Sequence, residues 1–94
     1  MTLYPKMFTA SEAVTTLTTR KGLHIHNVEV VPDGGSLEVR ILKGTGTDGT
    51  EQFRIKATED PENRDLRGLE FPYPIYIYFY DGEGAFAITT EEKI

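Results

Sequence analysis

Apolar and polar residues alternate at period two over several short runs of this chain, and glycine, proline and aspartate separate the runs. The punctuation falls at Pro32-Asp33-Gly34-Gly35, Gly44 to Gly49, Asp60-Pro61 and Asp81-Gly82-Glu83-Gly84. Because period two sends successive side chains to opposite faces of a sheet, the pattern predicts a small all-β domain of about 6–8 antiparallel strands. The clearest run sets Ile75, Ile77 and Phe79 in alternation with Tyr76, Tyr78 and Tyr80, ahead of Gly82-Glu83, a pair suited to a type II′ turn. A hairpin closed there places Phe79 opposite Phe86, Ile77 opposite Ile88 and Ile75 opposite Thr90. On its other face the three tyrosines cover Ala85, Ala87 and Thr89.

A second hairpin is predicted from Leu23 to Val31 and from Ser36 to Lys43, turning at Asp33-Gly34. It gathers Val28, Val30, Leu37, Val39 and Ile41 on one face. The same register opposes Glu29 and Glu38, a like-charge pair that Arg40 must relieve. Leu23 and Ile25 lie in the opposite parity to Val28 and Val30, so a bulge or a crossing between sheets is expected near Asn27. Gln52 to Ala57 reads as a strand with Phe53 and Ile55 inward. Leu69 to Phe71 reads as a stub at an edge or corner, since Pro72 and Pro74 follow it. The charged segment from Glu59 to Asp65 reads as a solvated loop.

The first residues are ambiguous, because Ser11-Glu12 suits a helix cap while Val14 to Thr19 is dominated by β-branched residues. An extended arm or edge strand is favoured over residues 1–20, with the β domain over 21–94. No apolar run follows a basic cluster at the start, so no secretory signal is expected. The longest apolar stretch, Ile75 to Tyr80, falls far short of the roughly 20 residues of a membrane helix. Membrane is not an expected partner.

A length of 94 residues supports one core, and 38% hydrophobic content makes it a thin one that invites help from assembly. The chain has no cysteine, which removes disulfides, thiolate metal sites and cysteine nucleophiles together. A net charge of -5 opposes binding to a phosphate backbone, so nucleic acid is not an expected partner.

Candidate chemistry is sparse. Gly44, Gly46 and Gly49 satisfy G-x-G-x-x-G, but that fingerprint needs a helix directly after it, and a period-two run follows instead. His24 and His26 share one face of a strand, a spacing that suits one zinc ion if a third ligand is near. No other histidine exists, and a carboxylate such as Glu29 or Asp81 would serve only by accident of folding, so the pair reads as ordinary strand residues. Ser11 and Ser36, the only serines, lack a G-x-S-x-G context. Asp33, Asp48 and Asp81 read as turn formers rather than calcium ligands. No enzymatic activity, metal or cofactor is expected. The tyrosine stripe is the strongest feature left, and it suits three readings: half of a core, a subunit interface, or a platform that stacks on sugar rings.

The order of features is a Thr-rich arm, Gly22 opening a strand with Val28 and Val30, the Pro32-Asp33-Gly34-Gly35 turn and the strand from Leu37 to Gly44. A Thr/Gly loop, Gly68-Leu69-Glu70-Phe71 and a closing segment through Asp81-Gly82-Glu83-Gly84 complete it. This order resembles the small β-sandwich structural proteins of tailed bacteriophage virions, a group that includes capsid decoration or cement proteins, head-fibre bases and tail accessory subunits. The resemblance implies a jelly-roll-like or immunoglobulin-like antiparallel sandwich with an extended N-terminal arm and no catalysis. It also implies a homo-oligomer, most often a trimer, made in the host cytoplasm and bound to the major capsid or other virion proteins. The candidate interface is then Leu3, Phe8, Val14 and Leu17 on a docking arm, with Tyr76, Tyr78 and Tyr80 on the aromatic face. The alternative function is a carbohydrate-binding module with glycan on the same tyrosines.

Overall fold

In the computed structural model, which describes residues 1–17 and 22–94, six strands form one antiparallel sheet. They are β1 (Tyr4–Phe8), β2 (Glu12–Val14), β3 (Leu23–Lys43), β4 (Glu51–Thr58), β5 (Glu62–Phe71) and β6 (Ile75–Thr90). No helix occurs among the described residues, so the all-β expectation holds. The boundary expected between residues 20 and 21 lies outside the described residues.

Neither expected hairpin forms. β3 and β6 are long strands that pair with each other from end to end: Val28 faces Ile88 and Val30 faces Phe86 at one end, Val39 faces Phe79 and Ile41 faces Ile77 at the other. The turn residues are corners in this long pair. Between the Pro32–Gly84 and Leu37–Gly82 pairs, residues 33–36 of β3 stand against Glu83 alone. Gly82 and Gly84 have φ of 93° and 149°. A Cβ on Gly82 would run into the carbonyl of Ser36, and one on Gly84 into that of Val31, so the two backbones approach as only glycine permits.

The physical reason for the correction is that a glycine-rich pair specifies a sharp bend, and a hairpin and a corner both use one. Which strand lies alongside is decided elsewhere. In the observed pairing Glu29 faces Ala87 and Asn63, while Glu38 faces Asp81 and Lys56, so the Glu29–Glu38 opposition of the hairpin never arises.

One face of the sheet is apolar throughout. Val28, Val30, Phe86 and Ile88 beyond the corner join Val39, Ile41, Ile55, Ile75 and Ile77 before it in a single buried cluster. Each such side chain withdrawn from water contributes about 1.5–3 kcal/mol. β4 and β5 pair with opposite ends of β3, yet Phe53 of β4 and Phe71 of β5 meet edge to face at 6.4 Å.

The phase break expected near Asn27 is present. Pairing of β3 with both neighbours slips between Ile25 and Asn27: against β6 His26 is the bulged residue, and against β5 residues 66–68 stand opposite it. β4 follows expectation, with Ile55 buried and Phe53 packed against the core. β5 does not: it begins at Glu62 rather than Leu69, inside the segment expected to be a loop. Its first residues are exposed and charged, so they carry no apolar alternation to read, and its backbone pairs with β3 alone. Charges on such an edge also discourage pairing with another chain.

β1 and β2 lie along opposite ends of β6, with Phe8 facing Phe86 and Val14 facing Ile75. β1 and β2 each pair with β6 alone.

Candidate functional site

Two groups of polar and aromatic side chains stand on the outer surface of the sheet. The first is the tyrosine stripe. Ile75 and Ile77 are fully buried, so period two turns Tyr76, Tyr78 and Tyr80 to the opposite face, where Tyr76 and Tyr78 are half-buried and Tyr80 is exposed. Their neighbours differ from expectation: Tyr76 faces Leu42 and Tyr78 faces Arg40, not Thr89 and Ala87. The register between β3 and β6 slips between Glu38 and Val39, leaving Tyr80 as the bulged residue on β6. A bulge re-aims its side chain, and here the ring comes under Arg40, whose Cζ lies 3.4 Å from the ring centroid.

Arg40 is held in that pose by carboxylates. Its Nε–H donates to Glu38 Oε2 at 2.7 Å, and Glu51 Oε1 lies 3.5 Å away. The hydrogen bond to Glu38 raises the guanidinium pKa further, so the group stays charged. Glu51 also accepts from Arg54 Nε at 2.9 Å, which relieves the Arg40–Arg54 opposition across β3 and β4. The rings line up at centroid distances of 6.2 Å (Tyr76–Tyr78) and 5.8 Å (Tyr78–Tyr80). Tyr80 remains 48% exposed.

The other candidate interface residues are scattered. Phe8 and Val14 are buried in the core and unavailable to a partner while β1 and β2 stay paired. Leu17 is partly buried against the core, with its N–H donating to the Tyr73 hydroxyl at 2.6 Å. Leu3 is exposed. Ser11 is engaged structurally, its hydroxyl accepting from the Phe79 N–H at 2.9 Å, at the rim of a 720 Å³ depression over the corner. The loop holding Gly44, Gly46 and Gly49 leads into β4, a strand, as expected.

The second group assembles around the histidines. Leu23 and Ile25 are buried, so His24 and His26 point outward from β3, on the face the sequence assigns them. What the sequence reading misses is their company. Thr90 pairs with Ile25, which brings the two residues after β6 alongside both rings. His24 Nδ1 lies 2.8 Å from Glu92 Oε2, and its N–H donates to Glu92 Oε1 at 2.7 Å. His26 Nε2 lies 2.9 Å from Glu91 Oε2. Glu70 Oε1 stands 3.9 Å from His24 Nε2.

The segment is fixed by backbone contacts as well. The Glu91 N–H donates to the His24 carbonyl at 3.1 Å, and the buried Thr90 hydroxyl donates to the Glu92 carbonyl at 2.6 Å. The hydrogen bond to Glu92 raises the His24 pKa above its usual value, against a smaller opposing effect of burial, and the fields of Glu92, Glu91 and Glu70 add to the rise. Hydrogen bonds from the His24 backbone and ring and the field of the ring hold the Glu92 pKa down, although burial alone, the largest single influence, pushes it up. The one signal for this group in the sequence is an acidic doublet directly after a strand. Comparison of the chain with family models, curated proteins and solved structures finds no match.

Proposed function

We propose that the protein is a non-enzymatic structural subunit that works by binding, with the tyrosine–arginine face as its contact surface. The observation that carries this reading is the stack of Arg40 on Tyr80, fixed by Glu38 and extended by Tyr78 and Tyr76. Tyrosine and arginine dominate the binding energy of protein interfaces. A face already ordered by its own contacts loses little side-chain freedom on binding. The finer fold belongs to the same proposal: a small antiparallel sandwich, supported by the single buried cluster and a thinnest extent of 17 Å, which suits two layers about 10 Å apart.

The setting proposed is a bacteriophage virion, as a capsid decoration or head or tail accessory subunit, and it rests on the order of features along the chain. In that setting the protein is a homo-oligomer, a trimer by preference, bound to major capsid or other virion proteins. Light scattering across a concentration series tests the assembly step. The unaltered chain is expected to form an oligomer whose unfolding temperature rises with concentration, and Tyr78→Ala to dissociate it to a folded monomer whose lower unfolding temperature no longer does. A monomer at every concentration rules the homo-oligomer out.

The exposed ring of Tyr80, with the carboxylates of Glu38 and Glu51 on the Arg40 stacked against it, favours a second reading, a carbohydrate-binding module in which the stripe stacks on sugar. Loss of glycan affinity in Tyr78→Ala at constant mass selects this reading over the first.

A further inference from the structure

We propose that His24, Glu91 and Glu92 form a binding site for a divalent zinc ion, with His26 as the outer partner that orients Glu91. One ligand atom from each of the three residues lies within 4.8 Å of the others. Zinc bonds to imidazole nitrogen and carboxylate oxygen at about 2.0–2.2 Å, so tetrahedral donors stand roughly 3.4 Å apart. That separation falls between the 2.8 Å of the His24–Glu92 pair and the 4.8 Å span of the set. Glu91 and Glu92 follow the last ladder pair of β6, so rotation of their side chains closes the difference without moving a strand.

The donor set selects the metal. One neutral imidazole with two carboxylates neutralises a dication, and a nitrogen ligand favours zinc over magnesium or calcium, which take oxygen. The surroundings favour a cation too, since Glu70 adds a third carboxylate 3.9 Å from the outer nitrogen of His24. The His26–Glu91 contact at 2.9 Å has the form of an outer-shell hydrogen bond that fixes a ligating carboxylate. The ion would join β3 to the segment after β6 and thereby close the end of the sheet where β1 also pairs. A small domain without cysteine gains from such a staple. This site is independent of the tyrosine face, which lies before the corner of β6 rather than beyond it.

Titration of the chelator-treated protein with zinc chloride, followed by calorimetry and by the unfolding temperature, tests the assignment. One equivalent of zinc is expected to bind and to raise the unfolding temperature, with magnesium chloride doing neither. His24→Ala and Glu92→Gln are expected to abolish saturable binding, and His26→Ala to weaken it about tenfold. The histidine ring resonances of the unaltered protein supply a readout that needs no variant: His24 must shift on zinc addition. Absence of saturable binding, an unmoved His24 resonance, or zinc affinity that survives both His24→Ala and Glu92→Gln overturns the proposal.

Discussion

The tyrosine–arginine face and the histidine–carboxylate cluster are built by the same device and reached by different routes. Each contains a bulged residue, Tyr80 on β6 and His26 on β3, which the slip in register re-aims. The partners of Tyr80 lie in the adjacent strand and on its own strand, and Arg40 finds Glu38 two residues away. The histidines instead meet carboxylates 65 and 68 residues further along the chain. Both groups therefore depend on the long pairing of β3 with β6, which also brings Arg40 to Tyr78 and Tyr80. Only the shared face of the tyrosines and the Glu38–Arg40 contact follow from local alternation.

That contrast is open to direct attack, first at the corner on which both depend. Gly82→Ala is expected to destabilise the fold by about 3–5 kcal/mol, since it adds a Cβ at a positive φ and against the Ser36 carbonyl. Denaturant unfolding measures the loss. If the variant keeps full stability, the corner does not hold the two regions in register.

The second expected effect is confined to the cluster and depends on pH. His24 has its pKa raised above 6.5, so its contribution to stability is complete below that value and is lost as pH rises through the folded pKa. Glu92 has its pKa lowered below 4.5, so its contribution is present above that value and is lost as pH falls through the folded pKa. The pair is strongest between about pH 4.5 and 6.5. A profile of unfolding temperature against pH in metal-free buffer is expected to be highest there, and His24→Ala to flatten its alkaline limb. The limb is absent if the pair contributes nothing.

The smallest effect belongs to the aromatic face. Arg40→Lys keeps the charge but loses the planar group that stacks on Tyr80 and bonds Glu38, so the unfolding temperature should fall only slightly. Tyrosine fluorescence should change more clearly than stability does. A large loss of stability in this variant would mean that the face supports the fold and is not chiefly a contact surface.

The legible part of the molecule follows the same division. Alternation finds the strand segments around Val39, Ile55, Ile77 and Ile88, sets the tyrosines opposite the isoleucines, and places a bulge or crossing near Asn27, one residue from the bulge at His26. It does not choose partners. Asp33-Gly34 and Gly82-Glu83 encode bends, and whether a bend reverses the chain or turns a paired ribbon is settled by the core on both sides. The start of β5 carries charge on both faces, so only its backbone pairing reveals it as a strand. Glu91 and Glu92 join the histidines because Thr90 pairs with Ile25, whereas the expected hairpin sends Thr90 to Ile75.

The end-to-end pairing of β3 with β6 also bears on how the chain reaches its native state. A hairpin can close within microseconds from residues a few positions apart. The local β3–β4 pairing supplies Ile55 and Phe53 to Val39 and Ile41, but Lys43 must find Ile75 and Val28 must find Ile88 before the rest of the apolar face has a partner. The entropy of closing those loops is lost before any burial compensates it, which places the chain among slow folders, on a scale of about milliseconds to seconds. Neither half of the sheet has a complete ladder without the other, so they form and dissolve together.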